Sequence, residues 1–298
     1  MRALVTGARG FVGHWLSTHL QACGDDVVTI DHEVDVTDAF AVAAALRDAD
    51  AQAVYHLAAF THVGESWKDP DRVMQVNVLG TLHVLEAARA QPTPPVVLLT
   101  SSAEVYGAVA ESLLPVTELA PLAPVTPYAA SKVAAEYLGV QQFLAHGLRV
   151  VRVRPFNHVG PGQAPGFVVA SLASRIVEAH RRGSPSLAVG NLRASRDFTD
   201  VRDVVRAYRL LVEKGTPGEV YNVCSGRDVV VEEIARTLLR LAGTSLELVS
   251  DPELTRPVDV PVVRGDPAKL QAATGWVPEI DLDQTLSDVL EQWSSLAD

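Results

Sequence analysis

Lysine is scarce in this 298-residue chain: four residues, at 68, 132, 214 and 269, stand against 21 arginines. A lysine in a patterned position is therefore less readily filler, whereas the arginine surplus reads as codon bias and makes any single arginine weak support for a role. Cysteine is scarcer still. Cys23 and Cys224 lie far apart and match no CxxC or zinc spacing, which excludes a disulfide framework and points to free thiols in a reducing cytoplasm. The nine histidines form no HxxxH or HExxH pattern, so no metal site is expected. Positive charge is in deficit, with a formal net charge of −11, which argues against nucleic acid as a partner. No apolar run approaches the ~18 residues of a membrane span. Gly7 and Gly10 interrupt the first stretch at once, so neither a membrane anchor nor a signal peptide is expected. No repeat or low-complexity tract occurs. The length suits one α/β domain, or a domain with a smaller appendage.

What is present is a rhythm. Short Val/Leu-rich runs at Arg2–Thr6, Val27–Ile30, Ala53–Leu57, Val96–Thr100 and Leu148–Arg152 read as buried strands. Helical periodicity fills the gaps at Val12–Ala22, Ala39–Asp48, Asp71–Ala90 and Tyr128–His146, the last entered through Pro127. Strands that alternate with helices and are apolar throughout predict a Rossmann-type doubly wound parallel sheet covered on both faces. After Arg154 the rhythm breaks. Asn157–Gly166, with three glycines and two prolines, is expected to be a loop. Helices are expected at Phe167–Arg182, Val201–Val212, Val230–Leu241 and Leu282–Trp293. Extended pieces are expected at Leu187–Val189, Arg196–Thr199 and Leu246–Leu248, and Val220–Val223 is expected to rejoin the main sheet. The expected division is a Rossmann part over 1–155 and about 196–225, interleaved with a smaller C-terminal α/β substrate part over 156–195 and 226–298.

Thr6-Gly-Ala-Arg-Gly-Phe-Val-Gly13 is a GxxGxxG run between the first strand and the first helix, the setting of a dinucleotide fingerprint. Glycines let backbone approach a pyrophosphate, and the helix N-terminus favours its negative charge. Gly7, Arg9, Gly10, Phe11, Val12 and Gly13 are the expected contacts. Asp31, closing the second strand, is expected to accept ribose hydroxyls and to disfavour a 2′-phosphate, favouring NAD(H). Arg9 argues the other way, so NADP(H) stays open. Asp35 and Val36 follow as candidates against the adenine.

Tyr128-Ala-Ala-Ser-Lys132 places a phenol and an ammonium one helical turn apart. The lysine is expected to pull the tyrosine pKa below its usual value of about 10, producing a general acid/base for hydroxyl/carbonyl interconversion. Ser102, at the carboxyl end of the Val96–Thr100 strand, is the expected third member, orienting the reacting oxygen. Alone, each motif has a bland alternative: a surface Tyr/Lys pair, or a serine capping a turn.

Together the motifs resemble the extended short-chain dehydrogenase/reductases that act on nucleotide sugars. The matching elements are TGARGFVG at 6–13, HLAA at 56–59, Asn77 in QVNVLGT, SSAEVYG at 101–107, PYAASK at 127–132 and RPFN at 154–157. The resemblance implies Ser102, Tyr128 and Lys132 as the catalytic trio, with Lys132 also on the nicotinamide ribose. Leu57, Ala58, Ala59, Asn77 and Pro155 are implied as further cofactor contacts. RPFNHVGPGQ at 154–163, VGNLRASRDFTDVRDVV at 189–205 and VYNVCSG at 220–226 are similar to members that reduce a GDP-linked 4-keto-6-deoxy hexose. That implies substrate contacts at Thr61, Ser102, Ala103, Glu104, Asn157, Phe167, Val168, Val189, Asn191, Arg196, Arg256 and Asp259. Glu104 is ambiguous. In related 4,6-dehydratases a glutamate in this turn removes a proton, so a buried Glu104 next to the cofactor would leave a dehydratase as the alternative, with a 4-epimerase third. Homodimerisation through a four-helix bundle of Asp71–Ala90 and Tyr128–His146 is also implied.

Overall fold

A computed structural model describes residues 1–251, 254 and 260–296. Strands β1 (Arg2–Thr6), β2 (Asp26–Ile30), β3 (Ala53–His56), β4 (Val96–Thr100), β5 (Val150–Pro155) and β9 (Val220–Val223) form one parallel sheet in the order β2-β1-β3-β4-β5-β9. Helices α1 (Phe11–Ala22), α7 (Val201–Lys214) and α9 (Ala268–Thr274) cover one face, with Leu16, Leu20, Tyr208, Leu211 and Trp276 in the core. The other face carries α2 (Ala39–Ala49), α4 (Gly80–Arg89) and α5 (Pro127–His146), through Val42, Leu46, Leu85 and Leu138. Burial on both faces explains why these strands read as unbroken apolar runs.

The chain runs from β1 outward to β2, then crosses back to β3 on the other side of β1. Such a reversal opens a crevice beyond the carboxyl ends of the strands, where ligands of these sheets sit. The register sets Thr6 beside both Ile30 and His56 at that edge.

The expected helix over Asp71–Ala90 is interrupted. It runs as α3 (Pro70–Met74), a π-helical turn at Gln75–Leu79, then α4. The hydrophobic period survives the bulge, so the sequence does not betray it. The expected loop over Asn157–Gly166 begins instead with a short strand, β6 (Asn157–Val159). It pairs with β8 (Ser195–Asp200), with Asn157 opposite Phe198. Its partner lies some forty residues on, and no local signal marks it.

A second apolar cluster lies under α6 (Val168–Arg181), α8 (Val231–Leu241) and α10 (Leu282–Leu296), with Ile176, Leu238 and Leu290 at its centre. There β8 pairs with β10 (Asp228–Val230) and β12 (Val262–Val263), while β7 (Ser186–Val189) pairs with β11 (Glu247–Ser250). Strands β10 and β12 and helix α9 carry no sequence expectation; each is two to seven residues long and too short for a period to register. The crevice therefore lies between the sheet edge and the loops that lead into this second region.

Candidate active site

The glycine loop is built by exclusion. Gly7 has φ +69°, and a Cβ there would lie 2.8 Å from the Ala58 nitrogen; a Cβ on Gly13 would lie 2.2 Å from the Gly7 carbonyl. Only hydrogen fits at either position. Gly10 begins α1 with no side-chain cap, and the first turn holds no acidic residue, so its N–H groups and dipole are left for an anion. This cradle fits a dinucleotide pyrophosphate.

Asp31 is committed locally. Its carboxylate accepts from the Arg9 nitrogen at 2.7 Å and the His32 nitrogen at 2.9 Å, and its side chain is 8% exposed. It staples the glycine loop to β2. The Arg9 guanidinium faces Glu33 at 3.4 Å. Asp35 is held by the Thr37 nitrogen and hydroxyl, which keep its carboxyl below the usual range. Val36 is buried, with its side chain packed close against Gly80.

Behind the crevice runs a closed hydrogen-bond chain that sequence reasoning missed. The Leu57 and Ala58 nitrogens donate to the Thr6 hydroxyl, which lies 2.9 Å from His56 Nδ1. His56 Nε2 lies 3.0 Å from the Thr81 hydroxyl, and Thr81 donates to the Asn77 carbonyl. Only one proton arrangement satisfies every group: Thr6 donates to Nδ1, and Nε2–H donates to Thr81. Burial and the nearby Lys132 charge hold the imidazole pKa down to about 3, consistent with a neutral ring. The π-turn sets the Asn77 amide against both Phe60 and the Ser131 hydroxyl, and Ser131 bonds back to the Tyr128 carbonyl. The loop after β3 is thereby locked to the first turn of α5. HLAA was the available signal, but it does not reveal that its histidine is a strut.

Helix α5 starts at the Thr126 cap with Pro127 at its first position. Tyr128 is 8% exposed, and the Ser102 hydroxyl is near enough to act on its phenol, while Ser102 Oγ accepts from the Glu104 nitrogen. Lys132 is buried, donates from Nζ to the Thr100 carbonyl at 2.9 Å, and lies 6.0 Å from the Tyr128 ring centre. The trio is brought together, but the expected depression of the tyrosine pKa is not found. Burial pushes Tyr128 up to about 12, against the lowering effect of the nearby Ser102 hydroxyl, and pushes Lys132 down to about 8. Removing a phenolate from water outweighs a lysine at this distance, whose own charge is costly here. A buried Glu104 was the condition on which the 4,6-dehydratase alternative stood. The side chain is exposed at the crevice mouth, where its charge pushes the Tyr128 pKa further up.

The remaining residues divide. Leu57, Ala58 and Ala59 follow β3 directly and are half-buried. Phe11 stacks on His158 at 6.0 Å, and Pro155 closes β5. Thr61 is exposed beside His62, whose ring meets Phe167 at 5.4 Å; a Cβ on Gly166 would fall 2.3 Å from that ring. Thr61, Phe167 and Val168 thus sit where the two regions meet, and Ala103 is buried beneath the Ser102 turn. Asn157 is half-buried in β6, and Arg196 on β8 donates to the Val260 carbonyl at 2.7 Å. Asn191 accepts from the Arg193 nitrogen. Val189 is a core residue of the second cluster, with its carbonyl taken by Asp251, because it lies on the inward face of β7. Arg256 and Asp259 fall outside the described residues. Among the described residues, no group of three metal-ligating side chains comes together, and no helix is long and apolar enough to cross a membrane.

A dinucleotide cradle at the switch point of a parallel sheet, with a Ser/Tyr/Lys set at the ends of β4 and α5, defines an oxidoreductase of the extended short-chain dehydrogenase/reductase type. The sequence profile for GDP-mannose 4,6 dehydratase matches residues 31–289, and the chain belongs to that family. Over 297 residues it is 41% identical to GDP-6-deoxy-D-mannose reductase of Pseudomonas aeruginosa, covering 99% of this chain and 97% of the relative. It is 32% identical to UDP-glucose 4-epimerase of Mycolicibacterium smegmatis, with 98% of each chain covered. The solved structure of RMD from Pseudomonas aeruginosa complexed with NADPH matches with a TM-score of 0.92 at 40% identity, over 99% of this chain and 100% of that one. Thermus thermophilus UDP-glucose 4-epimerase in complex with NAD matches at 0.89 and 30% identity, over 98% and 99%.

Proposed function

We propose that this enzyme reduces the C4 ketone of GDP-4-keto-6-deoxy-D-mannose to give GDP-D-rhamnose, using NADH or NADPH. One observation carries the reading: a Ser102–Tyr128 pair over a buried Lys132, in a chain 41% identical to GDP-6-deoxy-D-mannose reductase along almost its whole length. Gly7, Gly10 and Gly13 with the α1 N-terminus would hold the cofactor's pyrophosphate, Val36 would face the adenine, and Lys132 would donate to the nicotinamide ribose. The bound cofactor supplies hydride to C4.

Tyr128 gives its proton to O4. With a pKa of about 12 it is a phenol at neutral pH, so the donor is in the correct form without a prior step. Ser102 donates a hydrogen bond to the same oxygen and fixes its direction. Lys132 steadies the phenolate left behind. Thr61, Ala103, Asn157, Phe167, Val168, Asn191 and Arg196 bind the nucleotide sugar, and that remote binding holds C4 in place. Residues 1–155 and about 196–225 mainly serve the cofactor, with Thr61, Ala103 and Arg196 reaching across to the sugar nucleotide that the rest holds.

Asp31 and Arg9 bear on cofactor choice in opposite ways. Each Asp31 oxygen takes one backbone donor and keeps a lone pair for a ribose hydroxyl, so its leaning toward NAD(H) stands against Arg9. The 4,6-dehydratase is kept as the second reading only because the Glu104 charge acts on Tyr128; its exposure counts against it. Incubating the enzyme with GDP-mannose, with and without a separate dehydratase, and following NADH and NADPH absorbance tests both. Oxidation only when the dehydratase is present is the expected result; a 4-keto product from this enzyme alone would overturn it.

The reading includes a cytoplasmic homodimer. Exposed Met74, Leu79, Tyr137 and Leu144 on the α3–α4 segment and α5 support a four-helix seam with a second copy. Sedimentation equilibrium at micromolar concentration should give twice the 31.9 kDa chain mass, and a monomer there would remove this part of the proposal.

A further inference from the structure

Ser102 and Tyr128 come from separate pieces of chain, a turn after β4 and the start of α5. A single buried hub joins the two. Glu136 follows Lys132 by four residues and Tyr128 by eight, so the three share one face of α5. Glu136 is 1% exposed and Arg154, on β5, is 4% exposed. They pair fork to fork, Nε to Oε2 at 3.0 Å and Nη2 to Oε1 at 2.6 Å. Arg152 adds a contact to the same carboxylate at 3.2 Å.

The other side of Arg154 grips the Ser102 turn. Its Nη1 donates to the Tyr106 hydroxyl at 2.9 Å and to the Glu118 carbonyl at 3.1 Å, and its guanidinium carbon stands 4.9 Å from the Tyr106 ring centre. Tyr106 ends the 3-10 turn that Ser102 caps. Its hydroxyl donates onward to Asn222 Oδ1 at 2.6 Å, and Asn222 is fixed by the Val116 carbonyl and the Glu118 carboxylate. The polar ends of Glu136, Arg154 and Tyr106 are therefore all paired, while Arg152 Nε is not. A buried ion pair of this kind seldom adds net stability over a well-packed apolar pair. What it adds here is a fixed distance between the turn and the helix.

We propose that Arg154, with Glu136 and Tyr106, is a positioning device that holds Ser102 at the reach of Tyr128 and thereby sets the rate of proton delivery. This rests on the reading of Ser102 and Tyr128 as the reacting pair. A displacement of about 1 Å at such a pair costs up to about a hundredfold in turnover.

The test is Tyr106→Phe, which keeps the ring over the guanidinium and removes only the hydroxyl. It is made alone and in a Ser102→Ala background, with kcat, KM and the NADPH dissociation constant measured well below the melting temperature. Alone, it should lower kcat about tenfold, with KM and cofactor affinity within threefold. In the Ser102→Ala background the further loss should be less than twofold, because the device acts through Ser102. Equal losses in both backgrounds, or a kcat within twofold of wild type, would overturn the proposal. Glu136→Leu combined with Arg154→Met gives a second check. It leaves Arg152 without its carboxylate and should melt lower than wild type, so kcat is read well below that temperature; it should lose about a hundredfold in kcat, and retained turnover would count against the hub. If Ser102→Ala alone costs nothing, the catalytic reading itself has failed, an outcome separate from additive losses.

Discussion

Replacing Lys132 by Met should make the protein more stable and nearly inactive at once. The lysine is 6% exposed, and burial lowers its pKa from 10.5 to about 8. A displacement of that size corresponds to about 3 kcal/mol held against the charged form. Below about pH 8 the lysine is charged in both the folded and unfolded states, so the full cost is present. Between about 8 and 10.5 the folded protein gives up the proton before the unfolded chain does, and the cost declines as pH rises. Methionine fills a similar unbranched volume without the charge. It also leaves the Thr100 carbonyl without its Nζ donor, which offsets about 1 kcal/mol. The net gain at pH 7 is about 2 kcal/mol, or a rise of about 4 °C in Tm for a chain of this size. At pH 10 the cost of the wild-type charge has fallen to about 1 kcal/mol, so the advantage disappears. Melting followed by circular dichroism across this range, with NADPH oxidation at pH 7, reads both effects. A K132M protein that melts below wild type at pH 7, or a gap that does not shrink toward pH 10, would refute the reasoning.

Tyr128→Phe should slow turnover by about 10²–10⁴ while leaving cofactor affinity intact; activity within a few-fold of wild type would remove Tyr128 as proton donor. Gly13→Ala sets a Cβ 2.2 Å from the Gly7 carbonyl, so NADPH affinity, read by fluorescence titration, should drop more than tenfold. Gly166→Ala should displace the His62 ring rather than backbone. An unchanged Tm, with a several-fold rise in KM for the nucleotide sugar alone, is the expected signature, and an unchanged KM would take the His62–Phe167 contact out of the sugar site.

The cofactor half was largely legible because its signals are local. β1, β4 and β9 start and end where the Val/Leu runs do, and the glycine loop falls between strand and helix as its spacing requires. Thr126-Pro127 announces α5, and the Tyr/Lys spacing is fixed by the helix itself. Where signals are nonlocal the reading failed. β6 exists only because β8 is there to pair with it. The π-turn keeps the apolar period while turning Asn77 inward. Glu136 and Arg154 are ordinary charges in the sequence, and only their meeting under β5 makes them a hub.

By itself, then, the sequence determined which chemistry is available: a nucleotide cradle, a phenol, an ammonium and a hydroxyl in a doubly wound sheet. It did so because loop spacing, helix period and strand apolarity are properties of neighbouring residues. The ionisation of that chemistry was decided by tertiary structure alone. Burial reversed the expected direction for Tyr128 and favours a neutral His56, since the cost of a charge depends on what surrounds it in three dimensions.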